Sequence, residues 1–203
     1  MLLLLRLPFF LLLCFFQSMN AITSVPNVLI VYYSSSASQW TRLLARTIAN
    51  ASTAAGANTT MRRINETTCN DLIQADAIAL GSPVYWSSIA GAAKVWLDNI
   101  QSNCFGFPMN ELRNKVGVAF ATGGHVSDGK DSTMGVILTA WRAMEMITVS
   151  CAGGVQATTA CNPWGTSATH SDTDNRTVLS QYEIDGAIGL GQRIVEVAGI
   201  LKQ

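Results

Sequence analysis

Charge is scarce in this chain. Thirteen lysines and arginines balance thirteen aspartates and glutamates, so the formal net charge is zero and 13% of residues are charged. A neutral balance gives no electrostatic reason to expect nucleic acid as a partner. Histidine occurs twice, and no Cys-x-x-Cys or Cys/His spacing of the zinc-binding kind is present, so no metal site is expected. No internal repeat and no linker of biased composition divides the sequence. What the chain does have is apolar bulk. Its 203 residues are 49% hydrophobic, enough for one domain with a substantial core.

The N-terminus is a different object. Met1 to Phe16, MLLLLRLPFFLLLCFF, is an apolar run with one cation, Arg6. It is short for a membrane span and stands at the extreme start, which is the pattern of a secretory signal peptide. Residues 1–21 are assigned to the signal, with cleavage between Ser18 and Ser24, and residues 27–203 to the domain. The alternative is an uncleaved signal anchor, and only then does the protein meet a membrane. Either way the domain is expected in the secretory lumen or outside the cell.

Two features agree. Sequons of the N-x-[ST] type begin at Asn50, Asn58, Asn65 and Asn175. Removal of the signal takes Cys14 with it and leaves Cys69, Cys104, Cys151 and Cys161. An even number in an oxidising compartment permits two disulfides. Of the three pairings, Cys69–Cys104 with Cys151–Cys161 is favoured, against four reduced, buried thiols.

Asn27 to Ala45, NVLIVYYSSSASQWTRLLA, organises the rest. A β-branched apolar run stops at a serine-rich loop, and residues at helical spacing follow (Trp40, Leu43, Leu44, Ile48). A loop at a helix start presents unpaired N–H groups and the positive end of the helix dipole, which suits an anion. Ser34, Ser35, Ser36, Ser38 and Thr41 would add hydroxyl donors. No Lys or Arg precedes Arg42 in the loop, so neutral groups would do the holding. The plainer reading is a serine-rich turn with an ordinary cap.

Apolar runs and helical patterns then alternate. Strands are predicted at Asn58–Arg63 (an edge), Asp76–Ser82, Lys115–Ala121 and Met146–Cys151. Helices are predicted at Asp71–Gln74, Ile89–Ile100, Ser132–Met144 and Gln181–Leu201, with Gly186, Gly189 and Gly191 weakening the last. Ala152–Leu179 reads as a long irregular segment. Alternation of this kind means βαβ units, a parallel sheet and helices on both faces.

In such a sheet, ligands bind at the carboxyl ends of the strands. Three loops leave those ends: Ser34–Gln39 with its donors, Pro83–Ser88 with two adjacent aromatics, and Thr122–Ser127 with glycines that permit close backbone approach. A planar aromatic ligand bearing a phosphate would use all three. These segments, YYSSSASQWTRLLA, GSPVYWSSIAGAAKVWLDNI and KVGVAFATGGH, resemble in order and spacing the FMN-binding elements of flavodoxin-fold NAD(P)H:quinone oxidoreductases of the WrbA type. Asn162-Pro163-Trp164-Gly165 falls where that family carries a similar turn. The resemblance runs from Asn27 to Leu201.

The resemblance implies an α/β, flavodoxin-like, doubly wound five-stranded parallel sheet of order 2-1-3-4-5. It implies that Ser34, Ser35, Ser36, Ala37, Ser38 and Gln39 hold the FMN phosphate. Pro83, Val84, Tyr85 and Trp86 would contact the ring and ribityl chain. Thr122, Gly123, Gly124, His125, Val126 and Ser127 would close over the flavin's polar edge, with His125 the candidate proton donor. NAD(P)H would give a hydride to the flavin and leave, and a quinone would take two electrons in the same cavity, the cofactor doing the difficult chemistry. Homodimers or homotetramers are implied.

The chain also departs from the family. Ala37 replaces a usual Gly, Ser36 an aromatic near the nicotinamide site, Met144 or Glu145 a His, and Cys104 or Phe105 a Trp. The alternative function is therefore a secreted flavodoxin-like FMN-binding protein that has lost turnover. A third, a one-electron carrier, fits poorly with neutral charge and the long last loop. Trp96 and Trp141 are expected in the core, Trp40 over the phosphate loop or in the core, and Tyr32 and Tyr33 on opposite faces of the sheet. Asp98 should cap or pair at a helix end, and His170 should be exposed and inert.

Overall fold

The computed structural model describes residues 24–35, 39–105, 111–151, 160–170 and 176–202. Residues 1–21, read above as a signal peptide, lie outside them, as do Asn175 and Ser36, Ala37 and Ser38 of the serine loop.

Strand β1 (Asn27–Tyr32) is buried at nearly every position because both its faces are covered. Helix α1 (Trp40–Ala54) follows, burying Trp40, Leu44, Ala45, Ile48 and Ala51 along one stripe. Strand β2 (Asn58–Arg63) is the polar edge. Helix α2 (Cys69–Gln74) starts with a capping box in which Thr68 and Asp71 exchange hydrogen bonds. That arrangement holds the exposed Asp71 carboxyl below its usual range, chiefly through the Thr68 backbone N–H. At its far end the Lys115 ammonium donates to the carbonyls of Leu72, Ile73 and Ala75. Burial pushes that amine's pKa down.

Strand β3 (Ala77–Tyr85) turns back as a short hairpin into β4 (Ser88–Ile89) before α3 (Gly91–Ile100), which runs into one π-helical turn, Gln101–Phe105. Strand β5 (Val116–Gly123) leads to α4 (Lys130–Ala143). Three short strands follow, β6 (Ile147–Thr148), β7 (Cys161–Asn162) and β8 (Gly165–Thr169), and then α5 (Gln181–Leu201).

The sheet order is β2-β1-β3-β5-β8-β7, with all neighbours parallel except the β7–β8 hairpin. The five main strands thus stand in the flavodoxin-like order 2-1-3-4-5. One apolar cluster, with Ile30, Phe120, Leu190 and Ile194, lies under α1 and α5; the other, with Leu29, Ile78, Trp96 and Trp141, lies under α3 and α4. Tyr32 belongs to the first and Tyr33 packs against the second, one on each side of the sheet.

Two expectations change. Met146–Cys151 is not a full strand: β6 pairs only with Val116 and Gly117 at the start of β5, while β8 pairs with Phe120–Gly123 at its end. The fifth position is filled in two passes, and β8 comes from the segment read as irregular. Its sequence, GTSAT, is too short and too polar to show a buried strand. The glycines of α5 also prove functional in packing. A Cβ at Gly191 would stand 2.7 Å from Ala51 Cβ and 2.8 Å from Ile48 O, so glycine lets α5 approach α1 closely.

Both favoured disulfides are present. Cys69–Cys104 ties the start of α2 to the π-helical turn, and Cys151–Cys161 ties the end of the β6 segment to β7. Asp98 pairs with Lys94 one helical turn earlier, at 2.5 Å.

Candidate functional site

All three singled-out loops emerge at the carboxyl edge of the sheet, and hydrogen bonds tie them together. Tyr33 N donates to Gly81 O at 3.0 Å, aligning the serine loop with β3. Ser34 is buried and Ser35 half-buried, while Gln39 is exposed. Unlike α2 and α5, which both start with a capping box, α1 has no side-chain cap from Gln39 and no acid in its first turn. Its first turn thus carries neither a capping side chain from Gln39 nor an acid that would compete with an incoming anion. Thr41 does not serve as an outward donor. It is buried, and its hydroxyl lies 2.7 Å from that of Thr122, also buried.

The second loop is mostly strand. Pro83 and Val84 are half-buried in β3, and the chain reverses through Trp86 and Ser87, with Tyr85 opposite Ser88. Both turn residues have positive φ, 52° and 60°, the geometry of a two-residue hairpin turn that usually carries Asn or Gly. Holding a tryptophan there stores strain on the order of 1–3 kcal/mol. Trp86 is nevertheless fully exposed, at 101%, beside a half-exposed Tyr85.

The third loop packs against this hairpin. Gly129 has φ +99°, and a Cβ there would meet the Ser87 backbone at 2.7 Å. Within the loop, Lys130 is almost fully buried. Its ammonium donates to His125 O, to Val126 O at 3.2 Å and to Asp128 Oδ1 at 3.2 Å. Asp128 Oδ2 in turn accepts from His125 N at 3.1 Å. The pair braces the loop from inside and leaves Gly124, His125, Val126 and Ser127 exposed above it. Thr122 points inward and Gly123 is half-buried. His125 thus stands exposed at the carboxyl edge of the sheet.

His170 is neither fully exposed nor isolated. Its backbone N–H donates to Gly123 O at 2.8 Å, and its ring stacks on Trp40 with centroids 4.5 Å apart. Arg176 lies over Trp40, 5.4 Å from the ring centroid, and its guanidinium bonds Glu183 and Thr169 O. Trp40 is therefore a core residue, 7% exposed.

The sequence reading also missed a cation. Arg63, at the end of β2, sits beside Tyr32 in the parallel register. Its guanidinium donates to Ser34 O at 3.0 Å and lies 5.9 Å above the Tyr32 ring centroid. Only the 2-1-3 strand order brings β2 next to the serine loop, so no local signal marked it.

These features fit a phosphorylated flavin. An uncapped helix start faces one side of the edge, and an exposed aromatic hairpin and a glycine loop stand on the other. Among the described residues of Ser34–Gln39, Pro83–Ser88 and Thr122–Ser127, only Ser34 and Thr122 are buried.

Known proteins agree. An iron-sulfur flavoprotein of Methanocaldococcus jannaschii is 30% identical over 130 residues, covering 64% of this chain, and the match spans 62% of that protein's length. NAD(P)H dehydrogenase (quinone) 3 of Rhizobium meliloti is 26% identical over 203 aligned residues, covering 87% of this chain and 93% of that protein. Among solved structures, a WrbA-like flavodoxin protein from Agrobacterium tumefaciens superposes with a TM-score of 0.63 at 19% identity, covering 85% of this chain and 97% of that one. An archaeal flavodoxin superposes with a TM-score of 0.61, also at 19% identity, covering 87% and 99%. The profile of one family matches residues 26–158, from before β1 to past β6 and well over half of the chain. By that match, the chain belongs to the NADPH-dependent FMN reductase family.

Proposed function

We propose that this protein is an FMN-dependent NAD(P)H:quinone oxidoreductase of the WrbA type, working in the secretory lumen or outside the cell as a homodimer or homotetramer. One observation carries the reading: the strained, exposed Tyr85–Trp86 hairpin is locked against the Thr122–Lys130 loop at the same sheet edge as the uncapped start of α1. Ser35 to Gln39 with the first turn of α1 would hold the FMN phosphate. Val84, Tyr85 and Trp86 would flank the ring, and Gly124 to Ser127 would border its polar edge. The bound flavin supplies two-electron chemistry. The protein's part is to orient it, to keep an apolar wall beside it and to hold His125 at the rim for proton exchange.

The relative from Rhizobium meliloti, similar over almost its whole length, supports the quinone as acceptor. A second reading, a flavin-binding protein without turnover, rests on Ser36 standing where the family has an aromatic residue.

The purified protein should be yellow. Anaerobic NADPH should bleach it, and a benzoquinone should restore the colour. A colourless protein that takes up no FMN ends both readings. A yellow protein that NADPH and NADH leave unbleached ends the reductase alone.

A further inference from the structure

The two ends of the sheet differ. At one end the outermost strand, β7, is two residues long. At the other, β2 runs for six residues, Asn58–Arg63, and among the described residues it pairs only with β1. Its far side therefore presents unpaired N–H and C=O groups, a template on which another chain can add a strand. Natural proteins blunt such edges with charge, proline, brevity or cover. Strand β2 has Arg62 and Arg63 at its end, but Asn58 to Met61, NTTM, carry no charge.

Two of the four sequons stand at the ends of this strand. Asn58-Thr59-Thr60 opens it, and Asn65-Glu66-Thr67 begins two residues past its end, in the connection to α2. Both asparagines are exposed. Asn58 Nδ2 donates to Asn27 Oδ1 at 3.0 Å. An asparagine amide that carries a sugar keeps one N–H, enough for that bond. The Thr67 hydroxyl turns back to donate to Arg63 O at 2.8 Å. Asn50 differs, since it stands on α1 rather than on the edge, and its Ser52 is fully buried and bonded to Ile48 O. The two disulfides fit the oxidising compartment in which such sugars are attached.

We propose that Asn58 and Asn65 carry N-linked oligosaccharides, and that these sugars shield the open edge of β2 from a second copy of this chain. The inference rests on the secretory location proposed above and not on the flavin. Each attachment forms a bond from the asparagine Nδ2 to the anomeric carbon of a sugar supplied by a lipid-linked oligosaccharide diphosphate. The Nδ2 gives up one proton and the lipid diphosphate leaves, with no oxidation or reduction. Strand β2 is about 20 Å long, and a bulky hydrated group at each end of it leaves no flat approach for a partner strand.

The test expresses the full-length chain in a eukaryotic secretory host and recovers the protein from the medium. Peptide-N-glycosidase converts each sugar-bearing asparagine to aspartate, which peptide mass spectrometry locates. Aspartate is expected at positions 58 and 65, and a secreted protein with either asparagine unmodified overturns the proposal. The folded protein is then trimmed with an endoglycosidase that leaves one sugar on each asparagine. Trimming should raise light scattering several-fold on incubation. In the associated material hydrogen exchange of the β2 amides should slow, as backbone pairing on that edge demands. Thr60→Ala with Thr67→Ala removes both sequons without changing either asparagine, and should associate as the trimmed protein does. Trimming acts on protein already folded, so the result does not hang on that variant. Trimmed protein that keeps its native size, or that associates with β2 exchange unchanged, overturns the shielding. A chain that stays in the cytosol with its cysteines reduced ends the secretory reading and takes this proposal with it.

Discussion

The hydroxyls of Thr41 and Thr122 meet at 2.7 Å in the interior, joining the first turn of α1 to the carboxyl end of β5. Two loops proposed to grip opposite parts of one ligand are thereby fixed to each other by a buried bond. Thr41→Val leaves the Thr122 hydroxyl without its partner, and should lower stability by about 1–3 kcal/mol. Thr41→Val with Thr122→Val removes both polar groups together and should recover most of that loss. Urea unfolding of the two single variants and the double variant measures the coupling; strict additivity would show that the bond contributes nothing.

Trp86 holds a positive φ that a glycine adopts freely. Trp86→Gly should therefore raise stability, by about 1 kcal/mol, because no buried contact is lost from a fully exposed side chain. The same change should weaken flavin binding or turnover if the indole borders the ring. A thermal melt and an FMN titration on one sample separate the two effects, and a fall in both would place Trp86 in the fold rather than in the site.

The two disulfides should differ in what they contribute. Cys69–Cys104 spans 35 positions and Cys151–Cys161 spans 10. Loop-closure entropy assigns about 4 kcal/mol to the longer and about 3 to the shorter. Cys69→Ser with Cys104→Ser should thus lower the unfolding midpoint more than the matching change at 151 and 161. Denaturant titrations rank them, and a reversed order would show that the shorter bond serves the folded state directly.

Asp71 gives the acid limb a local cause. Its folded-state pKa lies below the ordinary value of 3.8, mainly because the Thr68 backbone N–H bonds its carboxylate. A depressed carboxylate stabilises the fold above the unfolded pKa, and that contribution disappears as pH falls through the folded one. Below about pH 4 the wild type should lose stability faster than Asp71→Asn, while at pH 7 the variant should be the weaker of the two. Parallel stability curves from pH 2 to 7 for the two proteins would exclude the capping box as a contributor.

The fold was legible because its core strands are continuous apolar runs and its helices carry apolar stripes. Val28–Tyr32 and Val116–Ala121 could hardly be anything but buried strands. Gly165–Thr169 could, since three of its five residues are Thr or Ser and its burial comes from β5 and α5 rather than from its own composition. The candidate site was legible where local chemistry marked a loop at the sheet edge, as at Tyr85-Trp86 and Gly123-Gly124. It was hidden where partners are distant in sequence. Thr41 reads as a surface donor until Thr122 arrives from 81 positions away. His170 reads as a polar loop residue until Trp40 is beneath it. Arg63 reads as an edge-strand cation until β2 is set beside β1.

The sheet's outermost parallel lane is laid down in two separate visits of the chain, one before Cys151 and one after Cys161. The detour between the visits is closed at its base by a covalent bond, and the second visit re-enters in register with Phe120–Gly123. Its length is thereby decoupled from the alignment of the carboxyl edge. A peptide grafted between those cysteines would be anchored at both ends by that bond and leave β8 in register with β5.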